Sequence, residues 1–342
     1  MLELAQGLTT IAYPWRLWAG RHDNAMLRQL QGEPVPPDAI VSARAARHLG
    51  RLAGGLVNEP GFSRYVRRQH LRVVHRTYYP VADMLGHGCR TVETLHDMWD
   101  EQAAAGGRPG LKSRLKRRAL QRADQIVCVS ESTRREMARF WPELIDKAVV
   151  IPHGAGPLST SPVPAGRNRP FFLFVGRRDL YKNFEIAVRA LAASPALAEH
   201  ELICFGGGSW SEGESARLRQ LTLAGRVHQF GGSDDRLAGL YQSAVALLYP
   251  SRYEGFGLPL LEAMIHQCPV IAAPLTSLPE VGGDAAVYAD ADDVDAWRTQ
   301  MEAIALSPST AAQLRQAGLA QAARFSWERT ARAHAEIYDR LA

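Results

Sequence analysis

The residues best suited to chemistry lie in the segment 249–264, where an apolar run leads into a glycine-containing loop and then into a helical pattern. Such a junction presents backbone N–H groups that bind anions. The loop consists of Gly255, Phe256, Gly257 and Leu258. Pro259, which has no N–H, suits the first helical position. Glu254 precedes the loop and Glu262 lies on the helix, so the segment predicts an anion site flanked by two carboxylates.

Two cations follow a second predicted strand, residues 171–175. Gly176 makes the turn, and Arg177 and Lys182 come after it. An arginine can hold two phosphate oxygens at once and a lysine adds a point charge, so the pair suits a diphosphate leaving group. Taken alone, the pair is more typical of solvated turn residues, because basic residues are common after strands.

Short apolar runs alternate with amphipathic segments along the whole chain, a pattern typical of parallel sheets with crossover helices. Strands are predicted in the first half at 10–13, 73–75, 90–95, 125–129 and 148–151. In the second half they are predicted at 171–175, 201–205, 226–230, 245–249, 270–272 and 286–288. The chain of 342 residues is longer than the length at which a single hydrophobic core usually stops growing. We expect two doubly wound α/β domains that face each other across a cleft, residues 1–155 and 170–325, with a linker over 156–169. We expect a final helix over 326–342 to pack back toward the first domain.

The formal charge of +5 is unevenly distributed, because residues 1–155 carry +8 and the remainder carries −3. The densest basic stretch has helical spacing and follows a break rich in glycine and proline. Its members are Lys112, Arg114, Lys116, Arg117, Arg118 and Arg122. A solvated helix face and a docking surface for anionic lipid headgroups both fit this pattern. Nucleic acid is disfavoured, because no recognition module accompanies the charge.

The four cysteines lie tens of residues apart without a CxxC pair, which favours a reducing, cytoplasmic setting. The acidic run 290–295 could suggest a metal-binding motif, but its place before a helix favours capping of the first turn. Residues 1–20 lack a signal-peptide pattern, and we find no apolar run long enough to cross a membrane. The sequence therefore predicts a cytoplasmic protein without a bound metal or other cofactor.

The two glycine-containing segments together resemble the C-terminal domain of the family 4 glycosyltransferases of the GT-B fold, the retaining, group 1 type. Further matches follow in order at 205–208, 227–232, 268–286 and 325–330, with weaker ones at 96–97 and 128–133. A series of motifs in order is more specific than any one of them. The resemblance covers roughly residues 70–342. It implies two Rossmann-like domains, a donor nucleotide sugar in the C-terminal one and an acceptor in the N-terminal one.

The resemblance assigns roles by position. Glu254 matches a glutamate near the donor sugar, and Glu262 matches one on the nucleoside ribose. Arg177 and Lys182, after Gly176, match the pair that binds the donor diphosphate. The loop 255–258 matches the segment whose amides hold the sugar and the phosphate.

His96 matches a histidine that approaches the donor sugar from the N-terminal domain, although a lone His-Asp pair in a loop is more often structural. The reaction implied is transfer of a sugar to an acceptor hydroxyl with retention of the anomeric configuration. In it the leaving phosphate accepts the acceptor proton, and amides, Arg177 and Lys182 stabilise the phosphate without a metal. Glu254 is then a positioning group and not a covalent nucleophile.

Similar proteins suggest surface polysaccharide or lipopolysaccharide assembly, with GDP-mannose as the donor and a glycan or lipid-linked acceptor. Two alternatives stay open: a noncatalytic or truncated subunit that binds a partner transferase, and another GT-B enzyme such as an epimerase or a phosphorylase. The sequence leaves the donor base, the sugar, the linkage and the oligomeric state undecided.

The amino terminus departs from the family pattern, in which a buried strand and a glycine-rich loop precede the first helix. Here Leu2, Leu4, Ala5 and Leu8 already have helical spacing. We therefore expect the first domain to lack its first strand in this chain, and an upstream in-frame segment to encode that strand and its loop.

Overall fold

The computed structural model describes residues 2–15, 17–19, 40–42, 51–76, 79–80, 88–104, 107, 110–158, 169–178 and 180–342. The chain divides into two compact units. The first consists of Met1–Gly154 and Trp327–Ala342, and the second of Ala155–Ser326. Most of the predicted linker, residues 159–168, lies outside the described residues.

The described strands, in chain order, are β1 (Leu17–Ala19), β2 (Ile40–Ser42), β3 (Val73–Arg76), β4 (Arg90–Leu95), β5 (Gln125–Cys128), β6 (Ala148–Val150), β7 (Phe171–Val175), β8 (Glu201–Phe205), β9 (Val227–Phe230), β10 (Leu247–Tyr249), β11 (Val270–Ala272) and β12 (Val287–Tyr288). The described helices are α1 (Leu2–Thr10), α2 (Arg51–Arg68), α3 (Trp99–Ala103), α4 (Leu111–Arg122), α5 (Glu131–Phe140), α6 (Phe184–Ala192), α7 (Glu212–Gln220), α8 (Asp234–Ser243), α9 (Leu258–Ile265), α10 (Leu278–Gly282), α11 (Val294–Leu306), α12 (Pro308–Ala322) and α13 (Trp327–Leu341). Within the described ranges, no helix combines the length and the apolar composition that crossing a bilayer requires.

The second unit contains a six-stranded parallel sheet in the order β12-β11-β10-β7-β8-β9. The chain enters at β7, winds outward through β8 and β9, and then returns to add β10 on the other side of β7. The direction of winding therefore reverses between β7 and β10, which is the position where open α/β sheets bind ligands. Phe172, Leu248 and Ile271 are fully buried in these strands, as expected for a parallel sheet covered on both faces.

The first unit contains a parallel sheet in the order β3-β4-β5-β6, and β1 pairs separately with β2. Its core includes Leu95, Ile126 and Met137, which bring β4, β5 and α5 together. The prediction of α/β architecture with two parallel, Rossmann-like sheets is confirmed.

The strand predicted at 10–13 is wrong, because residues 2–10 form α1 and residues 11–12 form a turn. The hydroxyls of Thr9 and Thr10 donate to the carbonyls of Ala5 and Gln6 at 3.1 and 3.0 Å, which keeps both threonines in the helical conformation. Ala12 has φ +56° and follows the helix end. The helical spacing read from the first eight residues is thus confirmed.

Helix α1 packs against α13 within the first unit. The contact buries Leu4, Leu8, Ala331 and Ala335. Gly7 lies where the two helices approach most closely, because a Cβ added there would stand 2.6 Å from the Trp327 carbonyl oxygen and 3.0 Å from the Ala331 Cβ. Only a residue without a side chain fits this crossing.

Replacing Gly7 with alanine is expected to lower the free energy of unfolding of the first unit by about 1–3 kcal/mol, because overpacking outweighs the helix propensity of alanine. Gly213→Ala on α7 is the matched control, since nothing lies within 4 Å of its added Cβ. That control should be neutral or stabilising by up to about 1 kcal/mol. Urea unfolding followed by circular dichroism measures both, and a Gly7→Ala protein as stable as the parent would contradict the close crossing.

Candidate functional site

The candidate site lies at the carboxyl ends of β7 and β10, where the winding of the second sheet reverses. Lys182 Nζ donates to Glu254 Oε1 at 2.6 Å and to Tyr249 Oη at 3.0 Å. The side chains of Lys182 and Glu254 are 15% and 13% exposed. The structure therefore brings together two predicted site residues, separated by 72 positions, in a partly buried ion pair.

Lys182 is placed by the turn that follows β7. Gly176 leaves the strand with φ +117°, a conformation that favours glycine. The turn Leu180–Lys182 is a 3₁₀-helix, and Asn183, with φ +54°, begins α6 and donates to the Ala291 carbonyl at 2.8 Å. The Lys182 ammonium lies 5.0 Å from the ring centroid of Tyr249, at the hydroxyl end of the ring.

The loop after Glu254 is held by two hydroxyl residues that follow β11. The Glu254 N–H donates to Thr276 Oγ1 at 3.0 Å, and Ser277 Oγ donates to the carbonyls of Glu254 and Phe256 at 3.0 and 2.8 Å. The sequence reading missed both. The sequence did contain one indication of their role, because both residues follow β11, the strand parallel to β10 and next to it. The carboxyl ends of neighbouring parallel strands lie at the same edge of the sheet.

Gly257 connects this loop to α9. It has φ +101°, and an added Cβ would stand 2.9 Å from Leu278 Cδ2, so both conformation and space require glycine. Leu258 is the first helical residue and Pro259 the second, one position later than predicted. Among the described residues, the amides of Gly257 and Leu258 have no hydrogen-bond acceptor, so both can bind an anion.

Glu262 lies on α9 and accepts a hydrogen bond from Tyr241 Oη at 3.0 Å. Tyr241 is fully buried on α8 and stacks on His266 at 6.1 Å between ring centroids. Burial, and then the charge of Glu262, raises the pKa of the Tyr241 phenol, so it remains a donor. Tyr241 is a third residue of the site, after Thr276 and Ser277, that the sequence did not predict.

Two adjacent arginines follow β7 in different environments. Arg177 is exposed, whereas Arg178 is buried and bonds Glu214 at 2.7 Å. The Arg178 guanidinium also donates to the carbonyls of Gly206 and Gly208 and lies 4.3 Å from the Trp210 ring centroid. Arg178 therefore organises the turn after β8, and of the two arginines Arg177 is the exposed one.

His96 lies in the first unit, just after β4, among other aromatic rings. We define the histidine cluster as His75, His96, His153 and His334. The rings of His96 and His153 are 5.6 Å apart between centroids, and those of His75 and His334 are 5.2 Å apart. Thr94 Oγ1 and Tyr338 Oη lie 2.7 and 2.6 Å from the two ring nitrogens of His75. His334 Nδ1 lies 2.7 Å from the Thr330 carbonyl oxygen, so α13 is tied to the cluster.

The basic stretch on α4 is only partly a charged surface. Lys116 is 2% exposed, and its Nζ donates to Glu101 Oε2 at 2.7 Å and to the Asp97 carbonyl at 3.1 Å. Lys112 pairs with Asp100 at 2.8 Å, and Arg117 pairs with Glu143 at 2.7 Å. The assignment of all six basic residues to one solvated or lipid-facing surface is therefore wrong for Lys116, which fixes the backbone next to His96.

The acidic run before α11 caps that helix, as predicted. The Asp293 carboxylate accepts a hydrogen bond from the Ala296 N–H at 2.9 Å. Within the part of the chain that the structure describes, no group of three or more His, Cys, Asp or Glu side chains is arranged to hold a metal ion.

Comparison with known proteins gives two family matches. The family described as "Glycosyl transferases group 1" matches residues 161–321, and "Glycosyltransferase Family 4" matches residues 3–156. The O-antigen chain mannosyltransferase B of Escherichia coli is 33% identical over 226 residues, which cover 61% of this chain and 59% of that protein. The D-inositol 3-phosphate glycosyltransferase of Xylanimonas cellulosilytica is 29% identical over 279 residues, covering 72% and 65%. The chain thus spans less than two thirds of the length of these curated relatives.

Among solved structures, sucrose-phosphate synthase from Thermosynechococcus elongatus has a TM-score of 0.75 to this chain at 21% identity, covering 99% of this chain and 92% of that one. The fold and the two family matches define the class, the GT-B fold of the glycosyltransferases. Within that class the chain belongs to the family 4 glycosyltransferases, group 1 type. The resemblance drawn from the sequence is confirmed.

Burial lowers the pKa of three members of the histidine cluster. It lowers the pKa of His153 from 6.5 to about 3 and that of His334 from 6.5 to about 4, and it holds the pKa of His75 well below its usual value. Neighbouring histidines add to the effect at His75 and His153. These imidazoles are therefore neutral in the folded protein at pH 7.

The first unit should lose stability as the pH falls below about 6.5, where the unfolded chain binds protons that the folded cluster does not. A lowered folded-state pKa means that stability is complete above 6.5 and declines down to about 4. The expected slope is about 1.4 kcal/mol per pH unit for each histidine.

Urea unfolding of the first unit at pH 7.5, 6 and 5 measures this slope. His334→Asn should remove from the slope the contribution of one histidine. His70→Asn, at an exposed position of the same unit, should leave the slope unchanged. Equal stability of the first unit at pH 7.5 and 5 would show that the cluster is not buried in neutral form.

Proposed function

We propose that the chain is a retaining, metal-independent glycosyltransferase that moves a sugar from a nucleotide-sugar donor to an acceptor hydroxyl. The second unit binds the donor and the first unit binds the acceptor. The observation that carries the proposal is the meeting of Lys182 and Glu254 at the reversal point of the second sheet, next to the loop that begins α9. Both side chains occupy the edge where ligands bind in this architecture.

The proposed chemistry depends on stabilising a departing diphosphate. The bond from the anomeric carbon to the phosphate oxygen breaks, the bond to the acceptor oxygen forms on the same face, and the phosphate accepts the acceptor proton. The Lys182 ammonium, the Arg177 guanidinium and the amides at the start of α9 supply positive charge where negative charge develops. Glu254 orients the donor sugar, Glu262 accepts a hydrogen bond from the ribose, and His96 is a further residue proposed to act on the sugar.

For the substrate we propose GDP-mannose as the donor and a glycan or lipid-linked acceptor of surface polysaccharide assembly. The name of the Escherichia coli relative, an O-antigen chain mannosyltransferase, supports this choice. A thermal-shift screen of GDP-mannose, UDP-glucose, UDP-N-acetylglucosamine and ADP-glucose tests the donor, because a ligand that binds the folded state raises Tm. Anomeric analysis of the product by NMR then tests retention. Donor binding without transfer to any acceptor would favour the alternative, a noncatalytic subunit of a partner transferase.

Lys182→Ala and Arg177→Ala should each lower kcat on the order of 100-fold, because each removes positive charge from the leaving group. Arg219→Ala, at an exposed arginine of α7 in the same unit, is the matched control and should keep parental turnover. Thermal unfolding of each variant checks that the fold is intact. Near-parental turnover of both site variants would refute the assignment of the diphosphate to these cations.

The enzyme should also turn over without divalent ions, because side chains and backbone amides are proposed to stabilise the leaving diphosphate. The measurement is the initial transfer rate with EDTA and after dialysis against it. Complete loss with EDTA that magnesium or manganese restores would contradict metal independence.

We further propose that the protein is cytoplasmic and that it docks on anionic membrane through the exposed face of α4. Arg114 and Arg118 lie one helical turn apart and are exposed, and Leu111 is 50% exposed at the start of the helix. An apolar residue beside two arginines suits the boundary between headgroups and acyl chains.

The double charge reversal Arg114→Glu with Arg118→Glu should abolish salt-sensitive cosedimentation with phosphatidylglycerol vesicles. Each arginine removed should weaken the free energy of membrane binding by roughly 1 kcal/mol. The matched control is Arg135→Glu with Arg139→Glu, which reverses two exposed arginines at the same four-residue spacing on α5. This control should still bind the vesicles. Binding that survives the α4 reversal would reject this surface.

A further inference from the structure

The cation that the proposed function assigns to the donor diphosphate already has an anionic partner. Lys182 Nζ lies 2.6 Å from Glu254 Oε1, and both side chains are largely buried, at 15% and 13% exposed. A carboxylate and a phosphate compete for an ammonium through the same charge-assisted hydrogen bonds. The inference drawn from this contact rests on the proposed function.

Lys182 cannot hold both anions without a cost. An ammonium has three donors, of which one reaches Glu254 and one reaches Tyr249, so a phosphate oxygen could take the third. Two anions that contact the same ammonium in a partly buried position repel each other, however. Displacement of the carboxylate is therefore favoured over sharing of the ammonium.

Tyr249 is a different kind of partner. It is 2% exposed, and burial, followed by the charge of Glu254, raises the pKa of its phenol well above the usual value. The phenol is therefore neutral and does not repel an incoming diphosphate. Its backbone is fixed at the end of β10, so it can hold the Lys182 ammonium in place while the anion changes.

The motion required of Glu254 is confined to its side chain. Its N–H is bonded to Thr276, and its carbonyl accepts from Ser277. These bonds keep the loop in place when the carboxylate turns away from Lys182. A carboxylate released in this partly buried position needs new donors, which the hydroxyls of a sugar supply.

We infer that the Lys182–Glu254 pair is the resting state of a partner exchange, in which the donor diphosphate takes the ammonium, Tyr249 keeps that ammonium in place, and the released Glu254 carboxylate binds the donor sugar. A nucleoside diphosphate without a sugar breaks the pair and gives Glu254 nothing in return. Glu254 thereby weakens the binding of the nucleoside diphosphate product relative to the nucleotide-sugar substrate.

Calorimetric titration with UDP, GDP, UDP-glucose and GDP-mannose tests the exchange. Glu254→Gln should bind the nucleoside diphosphate about tenfold more tightly, because an uncharged amide competes less for the ammonium. The same variant should bind the nucleotide sugar no more tightly than the parent, so the ratio of the two Kd values changes about tenfold. A purely structural role of Glu254 would change both Kd values in the same direction.

Tyr249→Phe should weaken the binding of nucleoside diphosphate and nucleotide sugar alike, by about tenfold, since each needs the ammonium in place. Tyr288→Phe is the matched control, because that hydroxyl donates to the Gly283 carbonyl at 2.9 Å in the same unit. It should leave both affinities unchanged.

Unchanged or weaker nucleoside diphosphate binding by Glu254→Gln would overturn the exchange while leaving the proposed function intact. Tyr249→Phe affinities equal to those of Tyr288→Phe would overturn the positioning role of Tyr249. A parent protein that binds none of the four nucleotides would overturn the proposed function and the exchange with it.

Discussion

The pairing of β7 with β10 is the constraint on which the candidate site depends. These strands are adjacent and parallel although two strands lie between them in the sequence. Their carboxyl ends therefore deliver two chain segments, one carrying Lys182 and one carrying Glu254, to the same edge of the sheet. Because both strands are buried, neither segment can move without disturbing the centre of the core. The strand order thus brings the two segments together, and the loops contribute the side chains that form the ion pair.

Sequence patterns were sufficient for features that repeat along the chain. The buried strands of a parallel sheet read as continuous apolar runs, and glycines at strand ends mark positions such as Gly176 and Gly257 where φ must be positive. The N-terminal strand predicted at 10–13 failed for a local reason. Thr9 and Thr10 favour strands by propensity, but their hydroxyls bond back to the preceding helical turn.

Features that depend on which residues meet across the fold were not predictable. Arg177 and Arg178 are identical in type and adjacent, and only the position of Glu214 and the turn after β8 decides which of them is buried. Lys116 looked like part of a charged surface because its spacing is helical, yet its partners Glu101 and Asp97 lie on another segment. A buried lysine is tolerable only with such partners, and helical spacing does not reveal them.

The two glutamates of the site differ in the kind of partner that holds them. Glu262 accepts from the neutral phenol of Tyr241, which orients the carboxylate without neutralising it. A hydrogen bond from an uncharged phenol suits the proposed role of Glu262, which is to bind a ligand hydroxyl in one fixed position. Glu254 instead faces the Lys182 ammonium, so its charge is balanced until another anion arrives. A carboxylate that is held by a neutral donor keeps its charge whether or not a ligand is bound. In the proposed exchange, a carboxylate that is paired with a cation is released only when a ligand anion takes that cation. The fold provides both kinds on one loop and helix, at two glutamates with seven residues between them, because Tyr249 at the end of β10 and Tyr241 on α8 are buried beside them.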